Sequence, residues 1–214
     1  MRSVPLWVLF SSVSAPVLLV GGWAVSGELQ GPGYDPARGT ISILASDGAG
    51  GYWVMTSALL ALGACHVITA CGLRPAAPPG RVALAGGGLS AILLALFPAP
   101  SSGGSFAHGV VVAMAFALLA IWPVMAARRG TPAPRATSGQ RADDGPGAAV
   151  PPWGLRPGPS VTAAALMWLG GAWFLLALFV LDTAGAAERV LTFAQSFWPL
   201  VVVLSCVRST GRPA

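Results

Sequence analysis

The chain has 214 residues, 55% of them apolar and only 9% charged, against about 25% charged in an ordinary soluble domain. Its twelve basic residues are all arginine, set against seven acids, and the mean hydropathy is +0.72. Too few charges remain to coat a soluble surface, so the soluble, disordered and fibrous classes are excluded. What is left is an all-α integral membrane protein with length for about six spans of ~20 residues.

Charge-free stretches mark the spans in chain order. The first runs from 4 to 25, between Arg2 and Glu28, and is read as a retained helix carrying Pro16, since a signal-peptide core is shorter. The second runs from 51 to 73. The stretch from 82 to 127 is twice the length one helix needs. Phe97-Pro-Ala-Pro-Ser-Ser-Gly-Gly-Ser105 divides it into helices at 82–97 and 107–127, because proline and glycine end helices and turn the chain. The last two spans lie at 161–181 and 190–207. Alternation of polar and apolar residues, the mark of barrel strands, is absent.

With six spans, ten arginines fall on one side and only Arg38 and Arg189 on the other. The arginine-rich side is cytoplasmic by the positive-inside bias, so both termini face inward in a plasma (cytoplasmic) membrane. The basic balance then reports topology and contact with anionic lipid, not nucleic acid. Residues 1–127 form a four-helix half and 161–214 a two-helix half. Between them, residues 128–160 hold seven prolines and six glycines, the composition of a disordered cytoplasmic linker. Small residues recur every fourth position at Ser57, Ala61, Cys65 and Thr69, at Ala83, Gly87, Ala91 and Ala95, and at Gly109, Ala113 and Ala117. Such stripes let helices approach closely. The spacing and placement of Cys65, Cys71 and Cys206 argue against a disulfide.

The polar interest falls on the outer side, in segment 35–47. Asp35 before Pro36 has the form of a helix start, and Ile41, Leu44 and Ala45 share one face of the helix it would open. Residues 36–46 therefore read as a short amphipathic helix at the interface, with Ile41 and Leu44 buried.

Tyr34-Asp35-Pro36 with Arg38, and Ile41-Ser42 with Leu44-Ala45, follow a first span here. Together with His66, Gly72-Leu73-Arg74, Phe97-Pro98, His108-Gly109, Trp122-Pro123 and Glu188-Arg189, they resemble the six-span bacterial membrane family called domain of unknown function 998. The resemblance covers nearly the whole chain outside the linker. It implies an architecture and no reaction.

Asp35, Arg38, Ser42, Asp47, His108, Glu188 and Arg189 form the candidate outer-face polar cluster, and His66 is the one ionisable side chain well inside a span. Intramembrane ionisable groups are functional candidates. The plainer alternative is a His66 ring hydrogen-bonded to a neighbouring helix. Bis-histidine haem ligation by His66 and His108 is excluded by a depth difference of ~18 Å. No cofactor and no metal follow from the sequence, and no nucleotide motif is present. The leading expectation is a multi-pass protein without a catalytic centre, holding its interfacial segment in place or binding a lipid headgroup. The alternative is a membrane-embedded, metal-dependent lipid hydrolase using the same Asp, His and Glu side chains. Membrane lipids are the expected partners, and a homo-oligomer is left open.

Overall fold

Proline and hydroxyl residues set where the helices begin. The computed structural model of the chain describes residues 4–101, 104–130 and 150–210. Helix α1 (Leu6–Leu29) starts after Pro5. The single turn α2 (Ile41–Leu44) is capped by Thr40, whose hydroxyl accepts from the Ile43 N–H. Helix α3 (Tyr52–Gly72) follows, then α4 (Pro78–Leu93) with its two prolines in the first turn, where their missing N–H costs nothing. The Ser105 side chain caps α5 (Phe106–Ala126). Helix α6 (Pro157–Leu176) runs on as a π-helical turn to Leu181, and α7 is Ala184–Thr210. Among the described residues there is no strand.

Five of these helices are long and apolar enough to cross a membrane: α1, α3, α5, α6 with its π turn, and α7. At 16 residues α4 is shorter than those five. Many large apolar side chains point outward, among them Phe106, Trp53, Phe179 and Leu169, as they would toward lipid rather than water.

Boundaries differ from the sequence expectation in informative places. The third helix lies four residues earlier than 82–97 because Pro78 and Pro79 initiate it, while residues 94–97 close it in turns. The last helix starts at Ala184 rather than 190, so Glu188 and Arg189 stand on α7 and not in a loop. Asp35 caps a turn instead of a helix: its carboxylate accepts from the Ala37 N–H, and the Gly39 N–H closes onto its carbonyl. The helix in this segment is the one turn of α2. Ile41 and Leu44 are buried as expected, packed with Leu19, Met55 and Leu59 from α1 and α3.

Two of the three small-residue stripes are out of phase with the packing. On α4, Ala83, Gly87 and Ala91 are buried as expected. On α3 the buried face is Met55, Ala58, Leu62, His66 and Thr69, and Ser57 is exposed. On α5 it is Val111, Ala115 and Leu119, with Gly109 and Ala113 exposed. The close crossing instead uses Gly63 and Gly88, where a Cβ on either residue would strike the other's carbonyl oxygen. Helices α1 and α3 run antiparallel, Gly22 against Ala58 and Gly72 against Val8, and so do α4 and α5, Gly80 against Ala126 and Gly87 against Leu119.

The ends of the proposed linker are built into the fold. Trp153–Leu155 form a 3-10 turn with Leu155 fully buried beside Val202 and Cys206. The Gly154 N–H donates to Ser205 Oγ, and Trp153 packs against Trp198. The Arg128 N–H donates to the Leu155 carbonyl at 2.7 Å. The remainder of the linker, 131–149, lies outside the described residues. Arg81 and Arg128 donate to the last carbonyls of α3 and the turn after it, at Ala70, Cys71, Pro75 and Ala76. Cationic donors belong at a helix C-terminus, where carbonyls lack intrahelical partners.

Candidate functional site: an outer clasp above an interhelical cavity

The sequence-nominated polar residues divide between two structures. The first is a clasp joining segment 34–44 to the N-terminus of α7. An α-helix begins with N–H groups that its own backbone cannot satisfy. Here the Gly185 and Ala186 N–H groups donate to the carbonyls of Arg38 and Ala37. Position 185 must be glycine for this approach, since a Cβ would overlap the carbonyls of Gly39 and Pro36. In return α7 caps α2: the buried Glu188 carboxylate accepts from the Ile41 N–H and, at 3.4 Å, from the Ser42 hydroxyl.

Arg189 completes the clasp. Its guanidinium donates to the carbonyls of Pro36, Gly39 and Gly185 at 2.7–2.9 Å and to the Tyr34 hydroxyl, and it lies 5.9 Å from the Trp23 ring. The Tyr34 hydroxyl in turn donates to the Gly39 carbonyl. At the surface Arg38 pairs with Asp35 and Asp182, all three well exposed. Asp47 is exposed and stands apart from the clasp.

The second structure is a partly open cavity of about 60 Å3 lined by residues of α1, α2, α3, α4, α5 and α7 and of the turn after α4. Ser42, Glu188 and His108 line its upper part, and Leu59, Leu62, Ala91, Val112 and Ala115 make its walls predominantly apolar. His108 is held at the rim, its Nδ1 2.8 Å from the Phe97 carbonyl oxygen. Deeper down lie His66 and Gln195, each only 1% exposed. Gln195 is seven residues past Glu188 on α7, about 10 Å further into the bundle at 1.5 Å per residue.

Both deep groups carry unused hydrogen-bonding atoms. Neither ring nitrogen of His66 has a partner, and neither does Gln195 Oε1. Gln195 Nε2 donates to the Phe116 carbonyl at 3.0 Å, which fixes the orientation of the amide. The expected hydrogen bond from His66 to a neighbouring helix is therefore not formed. Gly88 packs against the His66 Cβ and brings no acceptor side chain to the ring. Buried polar atoms in folded proteins are nearly always paired, so unpaired ones at a cavity wall mark a place for an occupant. Sequence reading missed Gln195: an amide in an apolar helix is unremarkable until its neighbours are known.

The metal-dependent alternative does not find its ligands. Asp35 and Asp47 lie outside the cavity, and among the described residues no three His, Cys, Asp or Glu side chains gather to hold an ion. No hydrogen bond joins Ser42 to either histidine among those residues.

Residues 13–205 match the family model described as protein of unknown function (DUF998). The chain belongs to that family, and it has the helical, multi-pass character of a membrane protein. No curated protein and no solved structure matches it.

Proposed function

We propose that this chain is a six-span plasma-membrane protein with both termini cytoplasmic, which binds a membrane amphiphile without transforming it, a short part of that molecule entering its interhelical cavity. The observation that carries the reading is a largely apolar cavity lined by two buried polar side chains, His66 with neither ring nitrogen partnered and Gln195 with its amide oxygen unpartnered. The ten-to-two division of arginines supports the orientation, with α4 as the sixth crossing and α2 at the outer interface. A binding role is favoured over hydrolysis because Glu188, whose carboxylate accepts from the Ser42 hydroxyl only at 3.4 Å, is engaged in capping α2 through the Ile41 N–H, and His108 faces a loop carbonyl instead of Ser42.

The test is mass spectrometry of organic extracts from protein purified in lipid nanodiscs. About one amphiphile per chain is expected above the nanodisc background. Ala115→Phe, which fills the cavity, should abolish that enrichment while the protein stays folded. Equal lipid content in wild type and Ala115→Phe would overturn the reading. Cysteine-accessibility labelling that placed residue 140 outside the cell would overturn the orientation.

A further inference from the structure

We infer that segment 32–47 is a gate on the outer side of the cavity, pivoting at Gly31 and Gly48 and latched by the start of α7. The inference goes beyond the binding reading and stands without it, since it concerns how the cavity is reached and not what enters.

The chain on either side of the gate is pinned. Ser26 Oγ donates to the Gly51 carbonyl at 3.2 Å, and the Gly50 N–H donates to Gln30 Oε1 at 3.3 Å. Gly50 presses on the Leu29 carbonyl and Gly51 on Ser26, so closely that a Cβ on either glycine would overlap its neighbour. The end of α1 and the start of α3 are thus tied together at the foot of the gate. Immediately inside these ties stand Gly31 and Gly48, with φ of +84° and +82°. No atom lies near the place a Cβ of either would take. Glycine passes between positive and negative φ without the steric penalty of other residues, so both pivots can turn where nothing obstructs them. Hinges are a few such positions that absorb the dihedral change of a moving segment.

The gate is held differently on its two sides. Among the described residues, its hydrogen bonds and its ion pair to the rest of the fold run only to residues 182–189. Glu188 takes the Ile41 N–H and the Ser42 hydroxyl, Arg189 and the Gly185 and Ala186 N–H groups take its carbonyls, Arg189 also reaches Tyr34, and Asp182 pairs with Arg38. Toward α1 and α3 the contact is apolar, through Ile41, Leu44 and Ala45 against Leu19, Met55 and Leu59. Directional bonds to one short stretch are lost together when that stretch and the gate part, whereas apolar packing tolerates sliding. The clasp therefore fixes the closed position, and breaking it frees the segment as a unit, a local opening well short of unfolding. Ile41, Ser42 and Ala45 are the gate's own share of the cavity wall, so lifting it opens that wall.

The test uses the full chain in lipid nanodiscs with Leu59→Cys as reporter, and with Cys65→Ala and Cys71→Ser removing the other thiols of α3. Leu59 packs under Ile41 and Leu44 and lines the cavity. Native Cys206, buried near the far end of α7, reports opening of the whole bundle. Labelling rates at both thiols are measured with a water-soluble methanethiosulfonate and mapped by peptide mass spectrometry. Ala37→Cys with Ala186→Cys supplies a lock. The Ala186 N–H donates to the Ala37 carbonyl at 2.9 Å, and residues so placed lie within reach of a disulfide. Oxidising the lock is expected to slow labelling at position 59 by about tenfold or more. Arg189→Met should speed it by about tenfold or more, the worth of one charge-assisted hydrogen bond. Gly185→Ala, which pushes the carbonyls of Pro36 and Gly39 away from α7 and keeps Arg189, should speed it too. Cys206 should label at one slow rate throughout. An oxidised lock that leaves the rate at position 59 unchanged would overturn the gate, as would acceleration at Cys206 in step with position 59. Either result leaves the amphiphile reading standing, because lipid enrichment is measured without these variants, and loss of that enrichment in turn leaves the gate standing.

Discussion

The clasp and the cavity floor are both polar islands in an apolar bundle, and they differ in how completely their groups are satisfied. In the clasp, Arg189 donates to three carbonyls and a phenol, Glu188 accepts from Ile41 and Ser42, and loop carbonyls take the first N–H groups of α7. At the floor, His66 and Gln195 leave three atoms without a partner. A satisfied network needs nothing further and acts to fix geometry. An unsatisfied one is incomplete until something joins it. The motif residues shared by the Tyr-Asp-Pro segment and the Glu-Arg pair thus build the scaffold, while Gln195, with its unpartnered amide oxygen, lies about two helical turns below Glu188 on α7.

The sharpest way to break this contrast is to remove Arg189. Hydrogen bonds from a charged donor contribute about 1.5–3 kcal/mol each, and at this half-buried position water replaces some of them. Arg189→Met is expected to cost about 3 kcal/mol in unfolding from mixed micelles followed by tryptophan fluorescence. Segment 34–44 should become accessible to proteolysis in the same variant. A change below about 0.5 kcal/mol would mean the clasp is not a structural unit.

Glu188→Leu comes next. It strips the acceptor from the Ile41 N–H inside a buried site, and an orphaned buried donor costs about 1–3 kcal/mol. Glu188→Gln keeps one carbonyl oxygen for that N–H and should recover a large part of the loss. Equal destabilisation by both substitutions would show that charge, rather than capping, is what position 188 supplies.

Much of this architecture was legible in the sequence because its causes are local. Charge-free runs gave the helices, and the Pro-Ala-Pro break separated α4 from α5. Ile41 and Leu44 were expected in the core from spacing alone. What stayed hidden depends on rotation and on pairing across the chain. The stripes on α3 and α5 were misplaced because alanine occurs all round those helices, so small size alone does not say which face meets a neighbour. The clasp joins residues 146 to 155 positions apart, and no local pattern announces a carbonyl turn capping a distant helix. Gln195 became visible only once the orientation of its amide and the cavity beside it were known. Residues 128–160 read from composition as one disordered linker, although the buried 154–155 turn within them docks on α7.

The cavity floor should respond in the opposite sense to the clasp. His66→Leu and Gln195→Leu each remove unpartnered polar atoms from an apolar surround. Exchanging unsatisfied polar groups for apolar ones of similar shape is close to neutral or stabilising. The Phe116 carbonyl released by Gln195→Leu lies inside α5 and has a helical hydrogen bond to fall back on. In ligand-free protein each variant is therefore expected within about 1 kcal/mol of wild type, on the stable side. Destabilisation of 2 kcal/mol or more would mean that these side chains have partners in the free protein and that the floor is as structural as the clasp.

The smallest effect belongs to the surface pairs of Arg38, a residue that sequence reading counted with the site. Arg38 is 66% exposed, and its partners Asp35 and Asp182 are 54% and 74% exposed, at 3.5 and 3.2 Å. Pairs held in water gain little Coulomb energy, lose side-chain entropy and are screened by salt. Arg38→Ala should change stability by less than about 0.5 kcal/mol, with the difference vanishing at high ionic strength. The clasp should be untouched, because what Arg38 gives to α7 is its backbone carbonyl, which alanine also supplies. If Arg38→Ala opened segment 34–44 to protease as Arg189→Met is expected to do, the side chain would belong to the clasp. The boundary between satisfied scaffold and solvated rim would then run outside Arg38 rather than inside it.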